Sequence, residues 1–250
     1  MIALKSAREI VMLTQAAGIV KRIFQAVEPA VRPGVTTGEL DAIAEKVIRS
    51  SKAEPAFKGY RGYPSVACIS VNEEVVHGIP GPRKLLDGDL VSFDIGVKWD
   101  GFYADAARTW IAGQAVSRVP QALIEAARGA LAETLGRYRR GFRVGDISSS
   151  IQQHVEGLGF GVVRDYVGHG IGRMLHEEPQ VPNFGTAGRG PRIEPGLVLA
   201  IEPMVTEGQY AVEVLPDGWT VVTRDRTLAS HYEDMIVFTE EGYLNLTGEL

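Results

Sequence analysis

Leu85–Asp94, LLDGDLVSFD, aligns without a gap on Ile193–Glu202, IEPGLVLAIE, matching Gly88 with Gly196 and Asp94 with Glu202. A second pair lies upstream at nearly the same offset: Gly34, Gly38, Glu39 and Leu40 correspond to Gly141, Gly145, Asp146 and Ile147. One match between amphipathic segments arises easily by chance. Two in the same order indicate an internal duplication, with the acids at the matched positions facing each other across a pseudo-twofold axis.

Each copy reads as two helices followed by strands. Ser6 with Glu9 is a capping-box pattern, and Ile10, Leu13, Ala17, Val20, Phe24 and Val27 follow on one helical face, ending before Arg32-Pro33-Gly34. Thr36 with Glu39 opens a second helix carrying Leu40, Ile43, Ala44, Val47 and Ile48. Strands are expected at SVACISV from Ser65, LVSFDIGV from Leu90 and YADAARTWIA from Tyr103, the last two joined as a hairpin around Asp100-Gly101. In the second copy the spacing predicts helices over Pro120–Arg139 and from Val144 to Leu158. Strands are then expected at LVLAIEPMV from Leu197, WTVVT from Trp219 and YEDMIVFT from Tyr232. The expectation is a mixed α/β (α+β) fold with antiparallel sheets covered by helices. It forms one domain over 1–250, built of αα-ββ halves at about 1–115 and 116–250.

Composition narrows the function classes. With 45% hydrophobic and 23% charged residues the chain can bury a large core. No uninterrupted apolar run reaches the ~18 residues of a membrane span, and the start MIALKSAREIVML lacks the apolar core and cleavage site of a signal peptide. The single cysteine, Cys68, permits no internal disulfide. A cytoplasmic protein with no membrane partner is therefore expected. A net charge of −5 gives no global reason to expect DNA binding.

Chemistry must then come from a site, and the acids point to one. A carboxylate inside an aliphatic strand is costly unless it is paired or binds a metal, which is the situation of Asp94 and Glu202. A two-residue hairpin loop at Asp100-Gly101 sets Gly96 opposite Asp105 and Asp94 opposite Ala107, so Asp94 and Asp105 become diagonal neighbours on one face. An odd-length loop would break that parity. Glu233 is a third such acid, with Asp234 beside it as a competing choice, and His169 in VGHGIGRMLHEEP adds an imidazole. This oxygen-rich set suits Mn, Fe, Co or Zn rather than a thiolate site. Two ions roughly 3.5–4 Å apart, bridged by carboxylates, would make a hydrolytic centre. Rival motifs fail: in HEEPQ, Gln180 stands where a zinc-protease helix needs its second histidine, and no G-x-S-x-G elbow occurs.

The stretches VVHGIP, DIGVKWDGFYADAARTW, VGHGIGRMLHEEPQVPNFG, IEPM and DGWTVVTRDRTLASHYEDMIV together resemble the type I methionine aminopeptidases, bacterial short form. The resemblance covers nearly the whole chain. It implies the internally duplicated pita-bread fold, with Asp94, Asp105, His169, Glu202 and Glu233 as ligands of two divalent ions (Co, Mn, Fe, Zn or Ni), Asp105 and Glu233 bridging. It implies removal of the initiator methionine from nascent polypeptides with a small second residue, by attack of a metal-bound hydroxide whose proton Glu202 takes. By the same resemblance His176 donates to the scissile carbonyl oxygen and its oxyanion, and His77 contacts the scissile amide nitrogen. Tyr60, Tyr63, Cys68, His77, Leu175, His176 and Trp219 then form the substrate pocket. Glycines 168, 170 and 172 are expected to let the backbone approach the metal centre, and Glu177 and Glu178 to be structural. Leu175 departs from the family's usual aromatic, and Phe57 from a usually smaller residue.

Two alternatives remain at this point. An X-Pro peptidase of the same fold shares the five ligands but usually carries a large extra N-terminal domain, and an inactive binding module should have lost ligands. A monomer is expected. Lys98 and the Arg83-Lys84 pair offer an edge for docking at the ribosome near its exit tunnel, or are simply solvated charges.

Overall fold

The computed structural model describes residues 2–115 and 117–248; residues 1, 116, 249 and 250 lie outside it, and with 116 the expected boundary between the halves. Helix α1 spans Ala7–Val27 and α2 Thr37–Ser50, each opened by the capping box that its sequence announces. At α1, Ser6 Oγ accepts from the Glu9 amide while the Glu9 carboxylate accepts from the Ser6 amide; at α2, Thr36 and Glu39 repeat the exchange. Helix α3 covers Val119–Gly136, stopping short of the expected Arg139, and α4 covers Val144–Gly157. With its 3₁₀ extension to Ala30, α1 is long and apolar enough by composition to cross a membrane. Its apolar face is instead spent inside the protein, where Leu13, Ala16, Ala17, Val20, Ile23 and Val27 are fully buried.

The hairpin of strands Leu90–Trp99 and Phe102–Ile111 is paired from Leu90 with Ile111 to Trp99 with Phe102. Asp100 (φ 48°) and Gly101 (φ 84°) form its two-residue turn, both left-handed, as the right-handed twist of a hairpin favours. The even loop delivers the expected parity: Asp94 lies opposite Ala107, and Gly96 opposite Asp105. Val91, Phe93, Ile95 and Val97 face the core shared with α1 and α2, so alternation turns Asp94 to the other side of the sheet. Strands Ala67–Val71 and Glu54–Pro55 complete this sheet.

A five-stranded sheet runs Tyr243–Asn245, Asp234–Phe238, Val198–Ile201, Val167–Gly170, Glu177–Pro182 in spatial order. Its central strands are buried on both faces. Val198, Ala200, Met235 and Val237 join the α1/α2 core, while Leu199, Ile201, Ile236 and Phe238 join the core under α3 and α4.

One strand expected as continuous is broken, and another starts late. LVLAIEPMV divides into Val198–Ile201 in the five-stranded sheet and Met204–Thr206 in a three-stranded one, with Glu202-Pro203 at the crossing. Pro203 has no amide to continue a ladder. The last strand, expected from Tyr232, starts only at Asp234, and a separate short strand before it, Ala229–His231, lies in a different sheet, with Glu233 at the crossing. Glu233 forms a bridge with Ala107, each amide bonded to the other carbonyl (3.0 and 3.3 Å), which ties the hairpin to the five-stranded sheet.

Candidate metal centre and substrate cleft

A cavity of about 340 Å³ opens where these sheets meet, and the five expected ligands and seven expected pocket residues all line it. Asp94 and Asp105 come from the hairpin, His169 from the strand Val167–Gly170, and Glu202 and Glu233 from the two crossings. One donor atom each of Asp105, His169 and Glu233 lie within 4.8 Å of one another. Glu202 Oε1 is 3.7 Å from His169 Nε2. Asp234, the rival of Glu233, serves elsewhere. Its carboxylate takes Arg108 Nη2 (2.7 Å), Thr247 Oγ1 (2.9 Å) and Asn245 Nδ2 (2.7 Å), and Arg108 Nη1 also holds the Glu233 carbonyl (2.7 Å).

The acids of the cavity are under strong electrostatic stress. Burial pushes Asp105 up to about 7. Burial raises Asp94, Glu202 and Glu233 well above the carboxylate range, and the neighbouring Asp105 charge raises them further. Asp94 Oδ1, Asp105 Oδ1 and Glu233 Oε1 are buried with no hydrogen-bond partner. Buried acceptors without donors, pointing into one space and repelling each other, fit a divalent cation, which relieves both costs at once. His169 is prepared for the same role. Its Nδ1 meets the Gly170 carbonyl at 2.9 Å, and since a carbonyl only accepts, Nδ1 carries the proton and Nε2 keeps a lone pair. Burial lowers His169 to about 3, so the ring stays neutral.

The stretch 167–179 is not the flexible segment its glycines suggest: it forms two paired strands and the turn between them. The glycines admit neighbouring protein rather than an ion. A Cβ at Gly168 would stand 2.5 Å from the Ala200 carbonyl oxygen, one at Gly170 2.4 Å from that of Glu178, and one at Gly172 2.2 Å from Lys5 Cε. Lys5 reaches from the N-terminal segment to Glu177 in a buried ion pair of 2.6 Å, and Glu177 Oε1 also accepts the Arg173 and Met174 amides. Glu177 is thus the clamp of the turn that carries His176.

His176 Nδ1 lies 2.9 Å from Tyr60 Oη, and its ring sits 4.3 Å from that of His169. Burial, and then the Arg61 charge, lower its pKa. Burial lowers His77 to about 4; its backbone is left-handed (φ 61°), a conformation that non-glycine residues rarely keep without local support. Trp219 packs edge-on to Tyr63 (5.1 Å) and to His77 (6.4 Å). Tyr63 Oη donates to the Gly78 and Ala67 carbonyls, and burial pushes the Cys68 thiol up, keeping it protonated. Leu175 closes the wall, 3% exposed. Phe57 lies against Gly96, where a Cβ would stand 2.7 Å from its Cε1. The sequence reading missed His231, Arg61, Asp165 and Tyr166, which also line the cavity. For His231 a signal existed: it stands two residues before Glu233, a spacing that puts side chains on one side of an extended chain.

Fold and centre together define a metallohydrolase class, with buried carboxylates and one imidazole arranged for divalent metal between antiparallel sheets. The family model of metallopeptidase family M24 matches residues 12–240. A methionine aminopeptidase of Clostridium perfringens is 49% identical over 242 residues, 97% of either chain. The crystal structure of a methionine aminopeptidase from Thermotoga maritima superposes with a TM-score of 0.96 at 44% identity, covering 100% of both chains. A prolidase from Pyrococcus furiosus shares the fold alone, with a TM-score of 0.80 at 21% identity over 66% of its own chain. The chain belongs to metallopeptidase family M24, among the methionine aminopeptidases, and has their pita-bread fold.

Proposed function

We propose that this protein is a metal-dependent aminopeptidase that removes the initiator methionine from nascent proteins and peptides whose second residue is small. The observation carrying this reading is one cavity that holds partnerless buried carboxylates beside an aromatic, sulfur-bearing pocket. Asp94, Asp105, His169, Glu202 and Glu233 would hold two divalent ions, Asp105 and Glu233 shared between them, and Co, Mn, Fe, Zn or Ni all suit the donors. The bound ions supply Lewis acidity and a water of lowered pKa.

The remaining work falls to the chain. Glu202 takes the proton of the attacking water. With Tyr60 Oη, 2.9 Å away, as the donor to His176 Nδ1, the Nε2 proton of His176 is left for the scissile carbonyl oxygen and for the charge that develops on it. His77 contacts the scissile amide nitrogen. Tyr60, Tyr63, Cys68, Leu175 and Trp219 receive the thioether side chain, for which aromatic walls are favourable. We read the chain as a single domain of two pseudo-symmetric halves, each contributing a helix pair and half of the acids, and as a cytoplasmic monomer. Docking at the ribosome near the exit tunnel would have to compete with the ion pairs Arg83–Glu74 and Lys98–Glu54.

The test is kcat/KM across Met-Ala, Met-Lys, norleucine-Ala, Val-Ala and Ala-Pro peptides with each metal in turn. Met-Ala should lead, norleucine-Ala follow, and Met-Lys and Val-Ala be poor. Efficient cleavage of Ala-Pro with none of Met-Ala would transfer the function to the X-Pro peptidases. No cleavage of any peptide would favour a binding module.

A further inference from the structure

His231 lies in the same cavity, and the reaction proposed above gives it no task. The residue is 1% exposed, its Nε2 has no hydrogen-bond partner, and that atom is 3.6 Å from Glu202 Oε2. The other oxygen of the same carboxylate faces His169 Nε2 at 3.7 Å. Glu202 therefore has an imidazole at each oxygen. The two rings are not equivalent, because the His169 Nε2 carries the lone pair and has nothing to donate, whereas the Nε2 of His231 is unengaged.

The placement of His231 is set by backbone rather than by chance packing. Its residue pairs with Met204, two positions beyond Glu202, across the Met204–Thr206 and Ala229–His231 strands. The Thr109 hydroxyl accepts from its amide (3.1 Å) and donates to its carbonyl (2.7 Å), and Ser92 Oγ supports that hydroxyl at 2.8 Å. The pinned backbone fixes the point from which the buried ring reaches Glu202.

We infer that His231 is a positioning residue for Glu202, its Nε2–H donating to Oε2 and leaving Oε1, on the His169 side, as the oxygen that meets metal and water. The 3.6 Å separation is longer than a hydrogen bond, and a carboxylate movement of about 0.5 Å closes it. Oε2 is then held by protein, and Glu202 presents one oxygen in one orientation instead of exchanging two.

This inference rests on the proposed metal site. Failure of that reading shows as wild-type protein that binds no Mn²⁺ in calorimetry and cleaves no methionyl peptide. Failure of the inference shows in the variants and spectra of a wild type that does both. In the Mn²⁺-loaded full chain, His231→Leu should lose about 10–100-fold in kcat or in Mn²⁺ affinity, the range for removing the hydrogen-bond partner of a metal ligand, with KM and the number of bound ions unchanged. His231→Gln keeps an N–H donor of similar reach and should recover most of the loss. Equal impairment of both variants, full activity of His231→Leu, or loss of one bound ion would overturn the assignment. A reading that does not depend on either variant's activity comes from ¹⁵N-histidine NMR of the Zn²⁺-loaded wild type. The His231 ring, identified by its absence in His231→Gln, should carry its proton on Nε2, and a bare or metal-bound Nε2 would refute the hydrogen bond.

Discussion

The two histidines of the stretch 167–179 differ by what their ring nitrogens touch. His169 has one nitrogen committed to a carbonyl and the other among carboxylates, while His176 has one committed to a phenol and the other free. His169→Ala should therefore weaken metal binding, whereas His176→Ala should keep its metal and lose about 10²–10³-fold in kcat, the scale of one donor to a developing oxyanion. Calorimetry beside kinetics checks both, and a His176→Ala protein that loses its metal would reverse the roles. Asp105→Asn takes one charge out of a repelling cluster and one proposed ligand out of the centre. Metal-free Asp105→Asn should then melt above the metal-free wild type, and added Mn²⁺ should raise its Tm little. A lower melting point for the metal-free variant would show that Asp105 is not under repulsion. These acids were legible in the sequence because a carboxylate among valines and leucines requires a reason. The choice between Glu233 and Asp234 was not, because Arg108, which occupies Asp234, is distant in the chain. His231 was passed over although it stands two residues before Glu233, because nothing local names Glu202, the carboxylate it faces.

Among the elements, the helices were legible almost to the residue where a capping box marks the start, and the hairpin where an Asp-Gly pair sets the parity. The strand crossings were not. Glu202 and Glu233 each sit where a chain leaves one sheet for another, and of the residues at the two crossings only Pro203 hinted at a break. Such crossings put a side chain at the seam between sheets, which is why both acids reach the cavity. The N-terminal segment was also unreadable as part of the site, since nothing local pairs Lys5 with Glu177. Their contact holds the His176 turn from behind, with side chains only 1% and 5% exposed. Lys5→Met strands a buried carboxylate and should cost about 3–5 kcal/mol of unfolding free energy in urea titrations. Metal stoichiometry should stay intact while kcat falls as the His176 turn loosens. Unchanged stability would mean that Glu177 is adequately held by the Arg173 and Met174 amides alone.

For the whole molecule, the acids of two sheets converge on one seam, so a cation there cross-links the fold as well as serving chemistry. The pH dependence of stability separates these contributions. His77, His169 and His231 are lowered by burial to about 4, 3 and 3, so the folded state binds fewer protons than the unfolded chain below the ordinary histidine value of 6.5. Their effect is a stability that rises with pH through that point and is complete about a unit above it. The carboxylates act with the opposite sign. Asp105 at about 7, and Asp94, Glu202 and Glu233 raised as well, keep protons in the folded state that the unfolded chain has already lost. Their stabilisation is full below the ordinary carboxylate range and disappears as pH rises through the raised values. About a unit above 6.5 the histidines are neutral in both states and among these groups only the raised carboxylates still lose protons, so metal-free protein should lose stability between about pH 7.5 and about 8.5. Divalent metal takes the place of the retained protons and is bound only by the folded site, so it should abolish this fall and raise Tm more at the upper pH than at the lower. Calorimetric melts with chelator and with Mn²⁺ at both pH values measure the four quantities. A metal-free Tm that holds level or climbs across this interval would mean that the acids are relieved within the protein itself, and the cross-linking role of the cation would have to be abandoned.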